Sequence, residues 1–285
     1  MEYDKIKFYK FYGEIGKVYV DSILLPQWKD PKNSDLYVFL KNYAYERQGG
    51  NAIYPYVAPE LITDWLDGTR NSEEVTKEFE NRLEEYKTRT NSDGGGENRS
   101  RNPLYDGSKR STKKSIMTFI DEYKRKSLKE ILWIVEGNQW KVDKAYCKLL
   151  EINGIGPKIA SYYLRDLMEF QSLNVEKINI EEKDRWLLQP IDIWVRRIVE
   201  VENKELKKKK DMEIAKEIVS ISLENNLNPE HVNMGMWFFG SRIIGNKYEF
   251  YSLYKLKNYD EFKDNVKKYS NTLDGQLKSI KTLNL

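Results

Sequence analysis

Between Leu149 and Leu167 the chain reads LLEINGIGPKIASYYLRDL, an order of residues that few folds accommodate. A helical stretch carrying Leu149 and Ile152 is broken by Asn153-Gly154-Ile155-Gly156. A second helix opens at Pro157 with Ile159, Ala160, Tyr163, Leu164 and Leu167 at three-and-four spacing on its inner face. Proline suits a first helical turn because the N–H it lacks would have no intrahelical partner there. Two glycines around one isoleucine predict a tight hairpin with Ile155 buried. The free N–H groups of that turn and the positive end of the second helix form an anion site suited to a DNA phosphate.

Helical spacing dominates the rest of the chain. Leu36, Phe39, Leu40, Tyr43 and Ala44 make one stripe, closed by Glu46-Arg47-Gln48-Gly49-Gly50. Ser72 to Tyr86, after the Asn71-Ser72 cap signal, predicts an exposed amphipathic helix with Val75, Phe79, Leu83 and Tyr86 facing inward. Further stripes fall at Ile116, Phe119, Ile120 and Tyr123 and at Leu128, Ile131, Leu132 and Val135. The fold class is therefore all-α. Thr88 to Thr112 has no periodicity and three consecutive glycines, so it reads as a loop or linker. The predicted organisation is a helical region 1–87, a basic Gly-rich linker 88–112 and a helical region 113–285. Lys204 to Lys210, with four consecutive lysines, predicts an exposed turn before a helix that starts near Asp211.

Composition narrows the chemistry. At 285 residues, 40% apolar and 33% charged, the chain is long enough to bury a substantial core and too polar for a membrane protein. It has no apolar run of about eighteen residues, and Met1 to Val20 interleave charges with aromatics as no signal peptide does. A cytoplasmic protein is expected. A single cysteine, Cys147, excludes a disulfide framework, a multi-cysteine zinc site and a four-cysteine iron–sulfur cluster. A single histidine, His231, excludes a histidine-cluster zinc enzyme, and near Pro229 it is assigned no role. Catalysis must then come from Asp, Glu, Lys, Tyr or a bound cofactor. The net charge of +3 hides an asymmetry. Val57 to Lys87 holds nine acids against four bases, and Thr88 to Lys126 ten bases against five acids. Such a split suits a face turned to a polyanion, and solvated helix faces give similar counts.

A second segment, Leu187-Leu188-Gln189-Pro190-Ile191-Asp192-Ile193-Trp194-Val195-Arg196-Arg197-Ile198, gives the hairpin a context. Together the hairpin (149–167) and this loop (187–199) resemble the helix-hairpin-helix superfamily of base-excision DNA glycosylases with a Gly/Pro-rich loop and an aspartate. The resemblance is strongest over Leu149 to Val199. It implies two helical lobes with the active site between them. It also implies a catalytic aspartate at Asp192 and, in members that cleave the DNA backbone, a nucleophilic lysine at Lys158. Val232 to Gly240 looks like the helix that lines the base pocket in oxidised-guanine glycosylases.

Three departures stand out. Lys158 and Asp192 are 34 residues apart, so Gln171 to Trp186 looks like an insertion. The residue two beyond the aspartate, often His in the family, is Trp194. The cluster cysteines of the endonuclease III branch are absent, which turns the resemblance towards cluster-free 8-oxoguanine glycosylases.

Elementary chemistry supports these placements. A lysine is nucleophilic only when neutral, and a helix N-terminus with an apolar floor from Ile155 and Ile159 pushes its pKa down. Asp192, just before Ile193, is placed to cap the next helix and to stabilise positive charge on a deoxyribose as its base leaves. The expectation is a glycosylase with AP lyase activity on damaged double-stranded DNA, acting as one chain near the nucleoid without cofactor or metal. Gly154, Ile155, Gly156, Arg196 and Arg197 would contact DNA. Trp194, Trp237 and Phe239 would stack on the flipped base, and Asn233 would read its edge. The rivals are a monofunctional glycosylase for mismatched or alkylated bases, with Lys158 a bystander, and a non-catalytic DNA-binding protein.

Overall fold

The structure, a computed structural model, describes residues 5–29, 34–45, 53–90, 101–108, 111–172, 179–254 and 258–270. The protein is mostly helical, with one two-stranded sheet among the described residues. In chain order the helices are α1 (Lys5–Tyr19), α2 (Leu25–Lys29), α3 (Asp35–Phe39), α4 (Tyr54–Leu66), α5 (Ser72–Thr90), α6 (Ile116–Glu122) and α7 (Leu128–Leu132). The hairpin strands β1 (Val135–Glu136) and β2 (Gln139–Trp140) follow, then α8 (Val142–Leu150), α9 (Pro157–Ser172) and α10 (Glu182–Arg185). The last are α11 (Ile193–Glu202), α12 (Asp211–Glu224), α13 (Pro229–Phe238), α14 (Lys247–Tyr254) and α15 (Tyr259–Ser270). Among the described residues, no helix is long and apolar enough to cross a membrane.

The chain forms two compact units, one of residues 1–26 and 181–285, the other of residues 27–180. These units run differently from the expected division. The basic segment 88–112 lies inside the second unit, and the break falls within the 171–186 insertion. Of the basic segment, 91–100, 109 and 110 lie outside the described residues, whereas Asn102 and Leu104 are buried and Gly107 N–H donates to the Lys113 carbonyl.

In the first unit, α1 packs along α13 at a distance only glycine permits. A Cβ at Gly16 would lie 1.8 Å from the His231 carbonyl oxygen, and one at Gly235 the same distance from that of Tyr12. Around this crossing Phe8, Phe11, Val195, Ile198, Ile218 and Phe239 form a core, with Phe11 edge-on to Phe239 at 5.6 Å. The four lysines lie in an exposed turn ahead of α12, with Lys208 in the left-handed region at φ 69°.

In the second unit, α5 has the inward stripe its sequence predicts. Val75, Phe79 and Leu83 are buried and Tyr86 is half-buried. Asn71 and Glu74 exchange side-chain-to-backbone hydrogen bonds as a capping box at its start. The Leu36–Ala44 stripe is buried, but it runs as α3 followed by a π-helical turn over Leu40–Ala44. Its expected stop, 46–50, lies outside the described residues. Val135 departs from its helical stripe. Helix α7 ends at Leu132, and Val135 sits exposed on β1 opposite Trp140. On the buried face of α9, Asp166 accepts from the Arg165 guanidinium and the Tyr43 hydroxyl, each at 2.8 Å, and burial still pushes its carboxyl above the usual range.

Candidate functional site

The hairpin forms as its residues dictate. Helix α8 ends at Leu150, two residues before the Ile152 that the stripe included, and Ile152 is buried in a parallel bridge to Lys114. Gly154 takes φ +75°, and a Cβ there would lie 2.1 Å from the Arg101 carbonyl oxygen, so two independent constraints require glycine. Ile155 is fully buried, and α9 opens at Pro157 with Ile159, Ala160, Tyr163, Leu164 and Leu167 buried. Gly156 is different: a Cβ there would meet nothing within 4 Å, and its φ is not positive. Among the described residues the N–H groups of Gly154 and Gly156 have no backbone acceptor.

Neighbouring chain clamps the turn from behind. The Asn153 N–H donates to the Lys114 carbonyl at 2.8 Å, and Asn153 Nδ2 to the Asn102 carbonyl at 3.1 Å. Lys113 Nζ donates to the Ile155 carbonyl at 2.9 Å, and burial lowers the Lys113 pKa. Sequence reasoning met Lys113 and Lys114 only as part of a basic stretch, because nothing local marks their partner forty residues on. Lys158 follows Pro157 in the first turn of α9 and is partly exposed.

Asp192, in the first unit, is the N-cap of α11. Its Oδ1 accepts from the N–H groups of Trp194 and Val195, both at 2.8 Å, which satisfies two of the helix's orphan donors. Its other oxygen takes no hydrogen bond among the described residues, so a mostly buried carboxylate has one oxygen fixed and one uncommitted.

The other predicted residues divide. Trp194 and Arg197 come together beside Asp192, the guanidinium 4.7 Å above the indole. Trp194 also packs on Gly240, where a Cβ would lie 2.7 Å from its own, and edge-on to Phe250. Arg196, expected at a phosphate, pairs with Glu200 at 3.1 Å and Asp211 at 2.5 Å and donates to the Lys209 carbonyl. Phe239, expected to line the base pocket, is fully buried against Phe11, Tyr12 and Phe262. Trp237 is partly buried, edge-on to Tyr19 at 5.4 Å. Asn233, expected at a base edge, is fully buried and donates from Nδ2 to the Pro190 carbonyl at 3.2 Å.

Two cavities, of about 430 and 180 Å³, lie in the second unit. The larger is lined by Tyr56, Arg82, Tyr86 and Arg89 among others, and neither includes a predicted site residue. Among the described residues no group of three or more His, Cys, Asp or Glu side chains could hold a metal ion. Compared with known protein families, curated proteins and solved structures, the chain finds no match.

Proposed function

We propose that this protein is a base-excision DNA glycosylase with AP lyase activity, acting on an oxidised purine, 8-oxoguanine first, in duplex DNA. The observation that carries the reading is the hairpin. Gly154 is explained by the protein's own packing, whereas Gly156 leaves open space beside N–H groups that have no backbone acceptor among the described residues, as a surface approached closely by a phosphate requires. Lys158 follows that surface by two residues. Support from the second motif is the Asp192 cap, which holds a carboxylate with one oxygen uncommitted.

The chemistry begins with the target nucleotide flipped out of the stack, because its glycosidic bond is inaccessible within it. The neutral Lys158 amine attacks the sugar C1′. The N-glycosidic bond breaks, the base leaves with the bonding pair and takes up a proton, and the Asp192 carboxylate stabilises the positive charge on the sugar. Opening of the ring C1′–O4′ bond gives a Schiff base, and loss of a C2′ proton expels the 3′ phosphate. A panel of duplexes, each with one defined lesion, tests the substrate. Single-turnover excision is fastest for 8-oxoguanine on this reading, and faster release of uracil, thymine glycol or an alkylated purine contradicts it.

A further inference from the structure

Helix α13 presents two fully buried polar side chains to the loop that leads into Asp192. Glu230 Oε2 accepts from Arg185 Nη1 at 2.6 Å, and its Oε1 from Gln189 Nε2 at 3.5 Å. Gln189 Nε2 also reaches the Arg185 carbonyl at 3.3 Å, which closes the small network. Asn233, three residues on and therefore on the same helix face, holds the Pro190 carbonyl. Residues 185, 189 and 190 are thus fixed by α13, and Asp192 comes two residues later. Its side chain is then fixed from the other direction by the N–H groups that open α11.

Stability alone does not account for this arrangement. A carboxylate taken wholly out of water is costly, and an apolar pair of similar volume is often as stable or more so. What hydrogen-bonded charge supplies here, and packing does not, is a defined position for a backbone that carries a reactive group. On the glycosylase reading, on which this inference rests, we infer that Glu230 and Asn233 are positioning residues for the Asp192 carboxylate. Base excision depends on them, and Schiff-base formation by the lysine at a preformed abasic site does not.

The two steps can be read separately in the full-length protein. Excision of 8-oxoguanine from duplex under single-turnover conditions reports the aspartate. Borohydride trapping on a duplex with a preformed abasic site reports the lysine without needing a base to leave. Two variants are informative: Asn233→Leu, which removes the donor at similar volume, and Arg185→Met combined with Glu230→Leu, which exchanges the ion pair for an apolar pair and keeps the packing. Misplacement of a catalytic group by a fraction of an ångström costs about 10- to 100-fold. Excision is expected to fall by that much in both variants, with trapping on the abasic site at the parental level and thermal stability of the double variant preserved. Parental excision in both variants overturns the positioning role, as does a parallel fall in excision and trapping, which is the mark of general damage to the fold. A parent protein that neither excises nor traps overturns the enzyme reading itself, and this role with it.

Discussion

The Lys113 ammonium and the Ile155 carbonyl oxygen are 2.9 Å apart, and this contact orients the hairpin. In a trans peptide the C=O and the following N–H point in opposite directions, so drawing the Ile155 carbonyl towards Lys113 turns the Gly156 N–H away from it. A charged donor on the carbonyl also polarises the same peptide unit and strengthens that N–H as a donor. Lys113→Met is therefore expected to weaken binding to damaged and undamaged duplex alike by about tenfold, the worth of one charge-assisted hydrogen bond. Because Lys113 bonds the protein's own carbonyl, the slope of log affinity against log salt stays unchanged. A slope reduced by about one marks a direct phosphate contact instead.

The two hairpin glycines separate folding from binding. Gly154→Ala is expected to lower the melting temperature by several degrees, since a non-glycine residue at positive φ costs about 1–2 kcal/mol before the approach to Arg101 is counted. Gly156→Ala adds a Cβ that meets nothing within 4 Å, so its melting temperature stays near the parental value while duplex affinity falls. Equal affinity at fixed salt removes Gly156 from the interface.

Asp192 has a structural and a chemical role that different substitutions divide. Asp192→Asn retains an oxygen for the Trp194 and Val195 N–H groups and removes the charge, so excision falls by about a hundredfold or more with little loss of stability. Asp192→Ala also removes the cap, at about 1 kcal/mol in the melting curve. Parental excision by Asp192→Asn reduces the residue to a helix cap.

Glu202 gives the first unit a pH dependence. Both carboxyl oxygens are buried without hydrogen bonds among the described residues, and desolvation raises the pKa well above the usual value, opposed by the nearby Lys5 charge. The folded state therefore binds the Glu202 proton more tightly than the unfolded chain. Its contribution is fully present below the ordinary glutamate range and is lost as pH rises from there through the raised folded value. Glu202→Gln is expected to gain on the parent in melting temperature as pH rises from about 5 to about 8. A constant offset between the two curves contradicts the assignment.

What was legible in the sequence was local. The hairpin, α5 and the lysine turn before α12 are set by patterns a few residues long, in which glycine, proline, caps and periodicity act on near neighbours. What escaped depends on distant partners. No local signal tells that Gly16 and Gly235 permit α1 and α13 to touch, or that the first 26 residues share a unit with the last hundred. Arg196 and Arg197 are neighbours with identical side chains, yet one is taken by Glu200 and Asp211 and the other lies over Trp194. Asn233 and Phe239 share a helical segment with Trp237 and are fully buried where it is only partly so, because of what packs against each face. Val135 continues a helical stripe by spacing, but the Gly137-Asn138 turn, with Gly137 at φ 62°, draws it into a strand.

If Lys158 is the nucleophile, the Schiff base it forms can be captured covalently. Borohydride added during turnover of an 8-oxoguanine duplex reduces the Schiff base to a stable amine, so the account predicts a protein–DNA adduct of one chain per strand. The adduct should be absent in Lys158→Gln, while duplex binding by that variant stays close to parental. An undiminished adduct in Lys158→Gln, or no adduct from a parent protein that excises the base, would contradict it.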